Sequence, residues 1–172
     1  MNTALVDREN FELWLGKPLA LLIDTEHSGF AVAMIAFPVL ERYLRGKSRS
    51  EPNTPTFDAA LLSVIPELGT IQAAGKFWSI YRHSLLHWAA FQKANYGFTE
   101  CPGVISVTEE GFVWLNPRLF GGRVLETVRA DFEPFEAENV PLPRVRNLES
   151  SLEAVPPYSP YLGTSAPPRR RR

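Results

Sequence analysis

The chain has 172 residues, of which 45% are hydrophobic, which suits one domain with a proper core. The formal net charge is −1, and because Arg169 to Arg172 supply +4, residues 1–168 carry −5. A mildly acidic body argues against sequence-independent coating of nucleic acid, though not against an enzyme that touches one or two phosphates in a local basic pocket.

The single cysteine, Cys101, excludes an internal disulfide framework and fits a reducing cytosol. Met1 to Asn10 mixes Asp7, Arg8 and Glu9 with apolar residues and lacks the basic start and apolar core of a secretory signal. The longest run free of charge and histidine in the first half, Ser28 to Leu40, has 13 residues, short of the roughly 20 that a membrane-spanning helix needs. A soluble, cytoplasmic protein with no membrane partner is expected.

Residues 8–16 read as a short helix, with Phe11, Leu13, Trp14 and Leu15 as apolar surface and Gly16 as its stop. A longer helix is expected from Pro18 to Arg45, bent at Gly29 and Pro38. Asp24, Glu26 and His27 form a polar cluster in it, either solvated or aimed at a site on a neighbouring helix. Gly46 to Pro55 is a polar loop, and a third helix follows from Thr56 to Leu68, ended or bent by Pro66. Gly69 and Thr70 turn the chain, and Thr70 suits the cap of the next helix.

That helix, Thr70 to Tyr96, carries Arg82-His83-Ser84-Leu85-Leu86-His87 at its centre. At 100° per residue Phe77, Tyr81, Ser84, Trp88 and Phe91 share one side, flanked by Ile80 and Leu85, an apolar stripe of the kind that faces a core. Ser79, Arg82, His83, Leu86, His87 and Ala90 occupy the other side, where Arg82 and His87 stand about 140° apart. Such a face is either solvated or pressed against a partner helix, and Ser79, Leu86 and Ala90 are the candidates for a dimer interface.

Beyond Gly97 the chain reads as two short strands, Val104 to Val107 and Phe112 to Leu115, around a Glu109-Glu110-Gly111 hairpin turn. Asn116-Pro117 is a helix start, and the last helix should run to about Glu136. From Val140 the composition changes: seven of the last 33 residues are proline, with Ser and Arg frequent. Residues 140–172 therefore read as a flexible tail after a domain of residues 1–139. Its terminal arginines suit either attraction of nucleic acid or simple solubilisation.

Arg, a polar residue, three more residues and then His, inside a helix of a small helical domain, resembles the signature of the HEPN superfamily. The resemblance rests on this short motif and its helical context, over residues 8–137. It implies a mainly α fold, a bundle of about four to five helices, here with a small β-hairpin before the last one. It implies a homodimer in which the Arg-x4-His of both protomers meets across the interface. Many such domains are metal-independent ribonucleases acting as toxins or in bacterial defence, which would make RNA the substrate, leave no cofactor or metal to be bound, and place an antitoxin or other regulator among the partners. An acidic or polar residue from an earlier helix often supports such sites, and Glu26 and His27 are the candidates, with His83 beside the motif. The tyrosine often found two residues beyond the histidine in toxins paired with nucleotidyltransferases is Ala89 here, which puts that scheme in doubt.

The residue chemistry is compatible with this. Cleaving RNA without a metal needs a proton acceptor for the 2′-hydroxyl, a proton donor for the leaving oxygen and cations around the phosphorane. Histidine serves the first two near neutral pH, and arginine the third. A two-fold dimer would bring two Arg82 and two His87 to one phosphate, leaving a 2′,3′-cyclic phosphate and a 5′-hydroxyl. Three other readings stand beside it: Arg82 in a plain surface ion pair with ordinary exposed histidines, a catalytically silent module that dimerises and binds nucleotide, RNA or protein, and His83 with His87 as an i, i+4 metal pair needing His27 or Glu26 as a third ligand.

Overall fold

In the computed structural model the protein is mainly helical with a small three-stranded sheet. It describes residues 8–88, 96–110 and 112–137, with backbone alone at 83, 84 and 86–88. These lie within one compact unit. The tail expected over residues 140–172 lies outside the described residues.

Gly16 does not stop the first helix. The chain runs helically from Arg8, through α1 (Arg8–Phe11), a π-turn (Glu12–Gly16) and α2 (Lys17–Ile23). Gly16 has helical dihedrals, φ −65° and ψ −55°, and the space its missing Cβ leaves is filled by the Glu12 carboxyl. That carboxylate accepts two hydrogen bonds from Arg129, each 2.7 Å. The glycine serves packing rather than termination.

The long second helix is interrupted where a bend was expected. Thr25 Oγ1 donates to the Leu21 carbonyl, and Ser28 Oγ donates to those of Leu22 and Thr25. Short hydroxyl side chains thus take over the helix's last acceptors. The chain turns through His27, at φ +59°, and restarts as α3 (Gly29–Ser48). Pro38 lies inside α3 without ending it. It sits on the exposed side, away from the packed face, where its ring does not disturb the core.

α3 is the central element. Its buried residues include Val32, Ala36, Phe37, Leu40, Tyr43 and Leu44, a stripe broad enough to meet the helices before and after it in sequence. α4 (Pro55–Val64) starts where Thr54 accepts from the Phe57 amide and Pro55 takes the first turn. Pro66 ends it, and Pro66–Leu68 forms a single 3-10 turn. Thr70 then caps α5 (Ile71–Trp88), its hydroxyl accepting from the Ala73 amide at 3.1 Å.

The expected hairpin is present as β2 (Ile105–Val107) and β3 (Val113–Leu115), antiparallel, with the Thr108 amide donating to the Phe112 carbonyl. A third strand, β1 (Tyr96–Phe98), pairs parallel with β3, giving the order β1-β3-β2. Tyr96, expected at the end of the motif helix, is therefore a strand residue. The buried Tyr81 of α5 ties helix to sheet: its hydroxyl bonds the carbonyls of Gly97 (3.2 Å) and Val113 (2.9 Å).

Asn116 caps α6 (Pro117–Ala130) as expected, its side chain accepting from the amides of Arg118 and Leu119. The final helix is split, because the chain leaves helical geometry at Asp131 (φ −136°, ψ 83°) and re-forms as α7 (Glu133–Ala137). Asp131 is held there by the Tyr43 hydroxyl at 3.1 Å and by Lys47 at 3.5 Å. Phe132 and Phe135 then turn onto Phe11, with ring centroids 5.5 and 4.9 Å away. Among the described residues no helix is long and apolar enough to cross a membrane.

Candidate active site on α5 and α3

The buried side of α5 is made by Ala74, Phe77, Trp78, Ile80, Tyr81 and Leu85. These follow 3- and 4-residue steps, so their side chains stack over one another along the helix. Phe77 and Tyr81 belong to the expected stripe. Ser84 and Trp88 are described in backbone only, and Phe91 lies outside the described residues.

Arg82 sits about 100° around the helix from the centre of that stripe, at the border of the core rather than on the face turned away from it. Its side chain is 31% exposed and reaches α3. There Nε donates to Oε2 of Glu41 at 2.9 Å and Nη2 to Oε1 at 3.4 Å, a forked pair between a planar cation and a carboxylate. Glu41 is only 16% exposed, so the pair is partly shielded from water.

Packing one turn away fixes this meeting. Phe37 stands four residues before Glu41 on α3, and Trp78 four residues before Arg82 on α5; their ring centroids are 5.7 Å apart. Phe77 and Tyr81 lie 6.0 and 6.4 Å from the same Phe37 ring. With the aromatic knob set, the next turn of each helix brings its charged residue opposite the other.

Glu41 was not singled out from the sequence. It is the sole acid of α3, a helix that also carries Arg42, Arg45 and Lys47, and a carboxylate only 16% exposed needs a partner. Nothing in a linear reading pointed that partner to Arg82.

Glu26 and His27 are exposed in the turn between α2 and α3. Glu41 lies about 18 Å further along the helix than Gly29, at about 1.5 Å per residue. Within the chain the acid that meets Arg82 is therefore Glu41, and the structure does not bring Glu26 or His27 to it. Ser79 is exposed on α5. His83, Leu86 and His87 lie on the helical backbone of α5, their side chains outside the described set, and Ala90 is outside the described residues altogether.

Chemically, Arg82 offers a forked donor of permanent charge, with Nη1 unpartnered among the described residues. A phosphate would occupy the same fork that Glu41 now holds. Five residues further along the helix, position 87 lies about 7.5 Å up the axis. For the metal reading, no group of three His, Cys, Asp or Glu side chains converges among the described residues.

No protein-family model, no curated protein and no solved structure matches this chain.

Proposed function

We propose that the protein is a metal-independent RNA endonuclease of the HEPN-like kind, acting in a bacterial defence or toxin system, with a composite site at a homodimer interface. The observation that carries this reading is the seating of Arg82. Its guanidinium is held half-buried at the α3–α5 seam by a carboxylate of an earlier helix, on the helix that also bears His87. A supporting acid from an earlier helix is what the resemblance calls for, and Glu41 meets that description. Glu41 acts as a positioning residue: it orients the fork and yields part of it to a phosphate. His87 moves the protons at the 2′-hydroxyl and the leaving oxygen.

The test is cleavage of mixed cellular RNA by purified protein in excess EDTA, beside Arg82→Ala and His87→Ala. Wild-type cleavage that leaves cyclic phosphate ends and is lost in both variants is the expected result. Equal cleavage by all three proteins would overturn the assignment.

A second reading, a silent dimerising and binding module, is favoured by the same ion pair, because Glu41 already neutralises Arg82. In that case no protein cleaves at concentrations where the dimer forms, and Glu41→Gln restores nothing.

A further inference from the structure

Along α3 the face that carries Glu41 continues, at four-residue steps of about 6 Å, to Arg45 and then to Arg49. Arg49 is the residue on which the helix ends. Arg45, Arg49, Ser50 and Glu51 line an open surface groove of about 510 Å³ that also touches Gly46 and Ala137. Arg45 pairs with Glu51 at 2.9 Å, and the Glu51 side chain is 72% exposed, so that pair is solvated and weak. The Arg49 side chain makes no ion pair among the described residues.

Arg49 also stands where a side chain is disfavoured. Its φ is +51° and ψ +38°, the left-handed region, and helices usually end there on glycine or asparagine. Glycine would close the helix with the same amide bond to the Arg45 carbonyl and without the strain. The Arg49 side chain at this position is exposed and lines the groove beside a second arginine.

We propose that this groove is a phosphate subsite for a single-stranded RNA, one that receives the strand beyond the phosphate held at Arg82. The inference rests on the ribonuclease reading for its ligand. The two are connected through α3: Glu41, which holds Arg82, stands one helical turn (about 6 Å) before Arg45, and Arg45 one turn before Arg49. Long guanidinium side chains are needed here, because the carbonyl end of α3 itself repels an anion.

The experiment is fluorescence anisotropy of the full chain with a labelled 2′-O-methyl RNA, which binds but cannot be cut, across a range of salt. Arg49→Gly and Arg49→Asn both tolerate the left-handed backbone, so thermal melting should be unchanged or raised. Both variants should bind about tenfold more weakly, with a log–log salt dependence shallower by about 0.7. Arg118→Gln, on another part of the surface, should leave affinity and slope as in wild type. Wild-type affinity and slope in the two Arg49 variants would overturn the proposal, as would absence of RNA binding by the wild-type protein. The two readings fail separately. Arg82-dependent cleavage with normal binding by Arg49→Gly removes the groove and leaves the nuclease, whereas Arg49-dependent binding without any cleavage removes the nuclease and leaves the groove.

Discussion

Arg82 and Glu41 are joined by two hydrogen bonds across the seam between α3 and α5, 41 residues apart in the chain. Both side chains are less than a third exposed, so the pair is worth more than a solvated one and less than a buried one. A double-mutant cycle of Glu41→Ala and Arg82→Ala should give a coupling of about 1 kcal/mol in urea unfolding. Additive effects of the two changes would show that the pair contributes nothing to folding.

The approach of α7 to α3 depends on Gly46. A Cβ there would lie 1.8 Å from the Pro134 carbonyl oxygen, a backbone atom that cannot rotate away. Gly46→Ala should therefore cost at least about 2 kcal/mol. Gly122 on α6 is the contrasting case, with nothing within 4 Å of the added methyl. Gly122→Ala should stabilise by about 0.5–1 kcal/mol, the ordinary helix-propensity gain. Denaturation midpoints that move in the same direction for both would contradict this geometry.

The Tyr81 hydroxyl is the link between α5 and two strands of the sheet. Tyr81→Phe removes the one hydroxyl proton that these two carbonyls share and should cost about 1–2 kcal/mol. It should also speed amide exchange in β1 relative to α3. Unchanged exchange in β1 would mean that the sheet docks by its apolar face alone.

The same residue sets an alkaline limit. Burial pushes the Tyr81 phenol well above its ordinary value, and burial raises Tyr43 too. A raised folded-state pKa means that the native protein keeps a proton the unfolded chain gives up. Stability is then full below about pH 10, the unfolded phenol value, and falls as pH rises beyond it. Tyr81→Phe should flatten that decline, and a decline of the same slope in the variant would shift the cause to Tyr43.

At the acid end the sign reverses. The Arg129 guanidinium holds the Glu12 carboxyl below its usual range, so its contribution is present above the unfolded carboxylate pKa and lost as pH falls through the lower folded value. The Arg129 side chain is 44% exposed, and solvent screening limits the effect to about 0.5–1 kcal/mol. Glu12→Gln should remove this amount at neutral pH and little at pH 2, with the difference shrinking in high salt. Equal destabilisation at both pH values would point to packing over Gly16 rather than to charge.

Much of the fold is legible in the chain itself, because it rests on local rules. The helical period of the apolar residues, the Thr70 and Asn116 caps, the stop at Pro66 and the hairpin before Asn116 each depend on residues a few positions apart, and each appears as expected. What failed was decided at a distance. Gly16 reads as a helix stop but serves to admit the Glu12 carboxylate that Arg129 binds from the far end of the chain. The last helix breaks at Asp131 because Tyr43 and Lys47 of α3 hold it, and β1 exists because β3 offers it a parallel edge. The candidate site divides in the same way. Arg82 and its spacing to His87 are properties of one helix and are visible in the sequence, whereas Glu41 joins Arg82 only once Phe37 has packed against Trp78. Local periodicity chose the elements. The choice of which charge meets which was left to the way aromatic side chains pack between helices, and no short stretch of sequence encodes that.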